Sequence, residues 1–231
     1  MNESAIEDDG FALFTGVLAG AAIADLISAV TDANFSRSER GGDVYGARNI
    51  LEVEEIGALA SSTEIRSLAE SMIGADCHVV RGIYFDKTPG ANWPVAWHQD
   101  LTLAVAERSE TAGWRNWSVK AGVHHVQPPV EILERMVTLR IQLDDCGADN
   151  GPLRVLPGTH RLGRMSADRI RELRGASGEE TCIAPAGSVL AMKPLILHAS
   201  SAAKLPSHRR VIHLEYTPRD LLPPELQWTA G

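Results

Sequence analysis

Cysteine is scarce in this chain and badly placed for cross-linking. Cys77, Cys146 and Cys182 are odd in number, far apart and without any C-x-x-C spacing. That argues against a disulfide framework or a cysteine zinc site, and for reduced thiols acting as small buried hydrophobes. Positive charge is short as well: 22 Lys and Arg face 30 Asp and Glu, for a formal net charge of -8. A phosphate backbone or an anionic membrane surface is a poor partner for such a chain, while small molecules remain open. No apolar run reaches the ~20 residues of a membrane span. The most apolar stretch, Phe11 to Val30, is interrupted by Asp25 and preceded by Glu3, Glu7, Asp8 and Asp9, acidic where a secretory signal is basic. It reads as an amphipathic packing helix, and the protein is expected to be soluble and cytoplasmic. Internal repeats, low-complexity segments and linkers are also missing. Residues 1–231 are therefore expected to form one domain, a size that all-β barrels reach as a single unit.

What the chain does contain changes character near residue 77. Before it, helices are expected: Ile23, Leu26, Ile27 and Val30 form an apolar stripe at helical period within 21–33. Ser62-Thr63-Glu64 opens a second helix, with Ile65, Leu68, Ala69 and Met72 on one face and Gly74 at its end. Gly41-Gly42-Asp43 reads as a loop between them. After it come short strands separated by Gly, Pro and Asn, expected at 78–85, 95–105, 137–143, 153–156, 188–192, 195–198 and 210–216. Two long connections interrupt the series. Residues 107–135 hold Trp114, Trp117, His124-His125, Pro128-Pro129 and a short helix, while 166–175 is a helix with an arginine-rich solvent face. Helices first and many short strands afterwards indicate a mainly β fold with flanking helices.

His98-Gln99-Asp100 is the most informative motif. In an extended strand residues i and i+2 share a face, so His98 and Asp100 aim at one point. With His198 they offer two imidazoles and a carboxylate, which can occupy one face of an octahedral metal and leave the opposite positions open. Alone, H-x-D is weak, since eight histidines and thirty acids produce such pairs by accident. Parity supplies context. Thr138, Arg140 and Gln142 alternate with Leu139, Ile141 and Leu143, and Arg209, Val211 and His213 alternate with Arg210, Ile212, Leu214 and Tyr216. In a simple sandwich the polar faces would be solvated. In a barrel with an active lumen, the apolar faces would instead pack on helices. Parity leaves both open, but only one of Arg209 and Arg210 can face the metal, and if the metal lies on the polar side it is Arg209.

Trp97-His98-Gln99-Asp100, Asp149-Asn150-Gly151-Pro152-Leu153, Val155-Leu156-Pro157-Gly158-Thr159-His160, and His198-Ala199-Ser200 followed by Arg209 resemble the phytanoyl-CoA dioxygenase family over roughly residues 77–220. The resemblance implies a double-stranded β-helix, a cupin-like jelly-roll barrel at about 77–220 buttressed by N-terminal helices at about 1–75. It implies Fe(II) held by His98, Asp100 and His198, and 2-oxoglutarate held by Arg209, whose planar fork suits a carboxylate. Arg140 and Ile83 fall where relatives contact 2-oxoglutarate. A surface arginine paired with an acid is an equal reading of Arg140. By the same resemblance His160 belongs to a turn and is not a ligand. His124-His125 reads as solvent- or substrate-facing, and His78, His208 and His213 as ordinary polar or core residues.

The implied chemistry is hydroxylation of an unactivated C–H with O2, releasing succinate and CO2, with ascorbate as a supporting reductant. Asp100 favours hydroxylation over halogenation, because a halogenating relative carries a small residue there. A small metabolite is the preferred substrate, and 107–130 the expected specificity segment. Two other readings stay open: a cupin-like metalloenzyme that does not use 2-oxoglutarate, and a catalytically silent jelly roll that binds a ligand.

Overall fold

The computed structural model describes residues 3–33, 37–40, 43–176 and 178–229. The N-terminal part holds α1 (Glu3–Asp8), β1 (Phe11–Phe14), α2 (Gly20–Asp32), β2 (Arg37–Arg40), β3 (Asp43–Arg48), α3 (Glu54–Ser61) and α4 (Thr63–Ile73). Then follow β4 (Cys77–Lys87), β5 (Val95–His98), β6 (Leu103–Val105), β7 (Arg115–Lys120), β8 (Val123–Gln127), α5 (Val130–Glu134) and β9 (Val137–Gln142). The chain continues through β10 (Leu153–Leu156), α6 (Ala167–Ala176), β11 (Glu180–Cys182), β12 (Val189–Met192), β13 (Leu197–Ser200) and β14 (Arg209–Pro218).

Seven strands form a large sheet in the order β1-β12-β9-β14-β4-β3-β2, four form a second, β11-β10-β13-β5, and β6-β8-β7 make a small third sheet. The first two face each other across a cavity to which β4, β9 and β14 contribute from one side and β5, β10 and β13 from the other. This is the expected jelly roll.

Parity decides which face of the large sheet is which. Leu139, Ile141, Ile212, Leu214 and Tyr216 share one core with Leu26 and Val30 of α2, Ile56 and Ala60 of α3, and Ile65, Ala69 and Met72 of α4. The helices therefore cover the outer, apolar face, and the polar residues of the same strands turn into the lumen. The Tyr216 hydroxyl donates to the Ala60 carbonyl at 2.8 Å and ties sheet to helix layer. The bounds of α4 follow its sequence signals: the Ser62 hydroxyl accepts from the Ile65 amide, and Gly74 closes the helix at φ 75.

Three expectations need correction. Phe11 to Val30 is not one helix: Phe11–Phe14 pairs with β12 in register from Phe11–Met192 to Phe14–Val189, Gly16 turns the chain at φ 67, and α2 begins at Gly20. An apolar tetrapeptide can satisfy the open edge of a sheet, which helical periodicity does not register. The strand expected at 95–105 ends at His98 and resumes at Leu103 in a different sheet. The long connection after it is chiefly the β7–β8 hairpin, with α5 following. Gly41 and Gly42 lie outside the described residues, and Asp43 opens β3. The three cysteines are free. Among the described residues no helix is long and apolar enough to cross a membrane.

Candidate metal and co-substrate site

His198 on β13 sits directly opposite His98 on β5 in the ladder that joins the two strands. Their rings lie 4.2 Å apart. Asp100 is two residues beyond His98 and no longer in a strand. Its amide donates to the Pro194 carbonyl at 2.9 Å. Gln99 pins the turn between them: its amide nitrogen donates to the carbonyls of Gly163 and Leu195 at 2.8 and 2.7 Å, and its oxygen accepts from the Met165 amide at 2.9 Å. The i, i+2 convergence thus survives the loss of strand geometry, because a buried side chain holds the break in shape.

One ligand atom from each of His98, Asp100 and His198 falls within 4.8 Å of the others. The Asp100 carboxylate reaches His98 Nε2 at 3.8 Å through one oxygen and His198 Nε2 at 3.7 Å through the other. Both histidines set their Nδ1 atoms on backbone carbonyls, His98 on Ala96 at 2.8 Å and His198 on Ile196 at 3.0 Å. That fixes Nδ1 as the protonated nitrogen and turns both Nε2 lone pairs toward the carboxylate. Burial holds His198 down at about 4, so it is neutral at physiological pH. Burial alone would raise Asp100, but His198, His213, His98 and Arg81 outweigh it, and its carboxyl falls to about 2. Oδ2 of Asp100 is buried without a hydrogen-bond partner. Two imidazoles that turn Nε2 inward, with one ionised, unsatisfied carboxylate, are a ready donor set for a divalent ion with N/O preference, and they fit Fe(II).

Beside these residues lies a cavity of about 140 Å³, lined also by Phe85, Lys87, Trp93, Arg140, Arg209 and His213. Arg209 begins β14 opposite Lys87, is 5% exposed and donates to the Gly151 carbonyl. Arg210 points the other way and makes a two-pronged ion pair with Asp144 at 2.6 and 2.9 Å, as strand alternation requires. The Asn150-Gly151 motif gains a physical reason here. Gly151 has φ 61, and a Cβ there would stand 2.6 Å from the Ser201 carbonyl and 3.3 Å from Lys87 Nζ. Arg140 is buried, donates to His213 Nδ1 at 2.9 Å and lies over the Phe85 ring, so it is no surface ion pair. Ile83 lies outside this lining and belongs to the wall of a neighbouring cavity, although it pairs with His213 across the sheet.

Lys87 was not evident from sequence as a site residue. It is 1% exposed, and its ammonium donates to the Ser200 hydroxyl at 3.0 Å and to the Ser201 carbonyl. Burial, reinforced by Arg209 and Arg140, lowers it to about 7. Arg140 is lowered to about 10, first by burial and then by Arg209. The cavity walls therefore carry three cationic side chains against the single carboxylate of Asp100. Nε of Arg140 and Nε of Arg209 are buried and unpartnered. Such a cavity is incomplete without an anion, and the dianion 2-oxoglutarate fits it. The other histidines stand apart: His160 contacts the Glu7 carbonyl through Nε2 and packs against Gly10, and His208 pairs with Asp86 at 2.8 Å.

The family model of phytanoyl-CoA dioxygenase matches residues 6–211. The chain belongs to the phytanoyl-CoA dioxygenase family. A curated relative, the L-proline trans-4-hydroxylase of Streptomyces griseoviridis, is 26% identical over 177 residues, covering 64% of this chain and 58% of that protein. The chain thus spans less than two thirds of the length of the curated relative it matches. Among solved structures, AviO1 of Streptomyces viridochromogenes superposes with a TM-score of 0.67 at 24% identity, over 96% of this chain and 95% of that one. The non-haem α-ketoglutarate-dependent carbocyclase SnoK of nogalamycin biosynthesis gives 0.73 at 16%, over 99% and 92%. EctD of S. alaskensis, solved with 2-oxoglutarate and 5-hydroxyectoine, gives 0.73 at 17%, over 95% and 76%. These structural likenesses establish the shared family fold.

Proposed function

We propose that this protein is an Fe(II)- and 2-oxoglutarate-dependent dioxygenase that hydroxylates an unactivated C–H of a small metabolite, using O2 and releasing succinate and CO2. The observation that carries this reading is the juxtaposition of two histidines and an ionised Asp100 with a cavity lined by three basic side chains, Lys87, Arg140 and Arg209. In this reading His98, Asp100 and His198 are the metal ligands. Arg209 grips the distal carboxylate of 2-oxoglutarate and Arg140 and Lys87 neutralise the rest of the dianion, while Ile83, in the wall of the neighbouring cavity, has no part in holding it. When bound, the iron supplies the oxidising power for C–H cleavage. The chain's own contribution is positional. The carbonyls of Ala96 and Ile196 hold each imidazole in the tautomer that offers Nε2. Gln99 holds Asp100 in reach, and the Gly151 carbonyl orients the Arg209 fork. Trp93 and Phe85 help to exclude water.

The L-proline hydroxylase among the relatives, a protein named for a small substrate, supports a small molecule over an acyl-CoA. A cytoplasmic location, and residues 1–231 acting as one unit, complete the reading. The test is succinate formation from 2-oxoglutarate by anaerobically purified protein supplied with Fe(II), ascorbate and O2. Slow turnover is expected, lost in His198→Ala and requiring more 2-oxoglutarate in Arg209→Ala. Turnover indifferent to Arg209→Ala would favour a metalloenzyme that does not use 2-oxoglutarate. No binding of Fe(II) and no turnover would leave a silent jelly roll.

A further inference from the structure

A second cavity, of about 50 Å³, lies toward the start of β4 and is lined by Arg48, Arg81, Ile83, Ala104, His125 and Thr229 among others. Elements distant in sequence build it: β3 gives Arg48, β4 gives Arg81, the β7–β8 hairpin gives His125, and the C-terminal segment gives Thr229. The hairpin is docked there through the Asn49 side chain, which donates to the Ala121 carbonyl at 3.3 Å. Three polar atoms at the walls are buried and unpartnered: Nε of Arg81, Nε2 of His125 and Oγ1 of Thr229. Buried polar groups are almost always satisfied, so three such atoms around one cavity suit it to a polar guest.

The local charge says what kind of guest. Burial and then the nearby Arg81 lower Arg48, and Lys120 of the hairpin adds a third basic group. Glu215 is the buried acid nearby, but it is already engaged by Arg81 and, at 3.3 Å, by His213 Nε2. Glu52, at the rim, is exposed. His125 is 2% exposed and its Nδ1 faces the Val123 carbonyl at 3.1 Å, so the neutral ring offers Nε2 as an acceptor. Burial, helped by Arg81, Lys120 and Arg48, keeps that ring neutral by lowering it to about 4. The cavity thus pairs guanidinium donors with one neutral acceptor. A bare anion would meet the arginines well but would confront the imidazole lone pair.

A continuous polar chain connects this cavity to the metal site: Arg140 to His213 at 2.9 Å, His213 to Glu215 at 3.3 Å, and Glu215 to Arg81. We infer that Arg48, Arg81 and His125 form the head-group pocket for a carboxylate substrate carrying a hydroxyl or amine beside the carboxylate. The arginines take the carboxylate, and His125 Nε2 accepts from the neighbouring O–H or N–H. Arg81 and Ile83 of β4 line this pocket, and Phe85 and Lys87 further along the same strand line the cavity beside Asp100, so the rest of a small molecule anchored there would follow β4 toward the metal site. The inference names the substrate class for the oxygenase reading and rests on it, but the binding event itself does not need the metal.

The test is titration of the ligand-free, full-length protein with glycolate, following the side-chain ¹⁵N resonances of His125 by NMR. A saturable shift of His125 Nε2 with glycolate, little response to acetamide, and at least tenfold weaker binding in Arg48→Met are expected. His125→Gln, which retains an acceptor, should bind more tightly than His125→Leu. Absence of a saturable shift, an equal response to acetamide, or wild-type binding in Arg48→Met would overturn the inference. His198→Ala separates the two readings: it removes metal binding while the glycolate response of His125 remains. If glycolate binds but Fe(II) does not, the oxygenase reading fails and the pocket stands.

Discussion

Replacing Lys87 by methionine should make the ligand-free protein more stable and worse at holding its co-substrate. The ammonium is buried against two arginines, and its folded value of about 7 compares with 10.5 for a free lysine. At about 1.4 kcal/mol per tenfold change, keeping that charge in the folded state near neutral pH costs on the order of 4 kcal/mol. Methionine has a similar shape and no charge, but it leaves the Ser200 hydroxyl and the Ser201 carbonyl without their donor, returning about 1–2 kcal/mol. The net expectation is a gain of roughly 2–3 kcal/mol for Lys87→Met in the absence of metal and 2-oxoglutarate. The sign with pH is fixed. Below about pH 7 the lysine is protonated folded and unfolded, and the full penalty applies. Between about 7 and 10.5 the folded state releases the proton while the unfolded chain keeps it, so wild-type stability rises with pH across that window. Urea denaturation at about pH 6, 7.5 and 9 would resolve both features, the difference between proteins cancelling groups that titrate in each. With Fe(II) and 2-oxoglutarate present under nitrogen the order should reverse, because the variant loses a partner for the dianion. A variant less stable than wild type throughout, or one with an unchanged pH slope, would refute the reasoning.

Other substitutions probe the same construction. Arg209→Ala should raise the 2-oxoglutarate concentration needed for half-saturation by about 30-fold or more, read by calorimetry, since a buried charge pair loses one member. Gly151→Ala forces a side chain into φ 61 and against the Ser201 carbonyl. It should cost about 2–4 kcal/mol in urea denaturation and weaken 2-oxoglutarate binding with it. Gln99→Leu removes three hydrogen bonds that hold the turn before Asp100. Metal affinity should fall by about 10–100-fold with the fold intact by circular dichroism. Leu139→Ala, in the core beneath the helices, should cost about 2–5 kcal/mol while leaving metal binding unchanged at temperatures where the protein is folded.

How much of this was legible from the residues depends on how local the cause is. The ends of α4 could be placed because Ser62 and Gly74 act within one helical turn. Strand alternation separated Arg209 from Arg210 for the same reason, and the structure shows one in the lumen and the other on Asp144. Elements whose cause is distant were missed. Phe11–Phe14 is a strand because β12 offers it an edge, and the break after His98 exists because Gly163, Leu195 and Met165 hold Gln99. Lys87 carries no motif that marks it as lining the cavity; only the pairing of β4 with β14 puts it beside Arg209. The sequence marks His213 only as an ordinary polar or core residue, because its place between Arg140 and Glu215 depends on the pairing of β14 with β9.

Anaerobic calorimetry of 2-oxoglutarate binding, with and without Fe(II), tests the central claim most directly. Wild-type protein should bind one equivalent of 2-oxoglutarate tightly only when Fe(II) is present, His198→Ala should lose that dependence together with the metal, and Arg209→Ala should retain Fe(II) but bind 2-oxoglutarate weakly. Equal 2-oxoglutarate binding by all three proteins, or none in the wild type with Fe(II) bound, would contradict it.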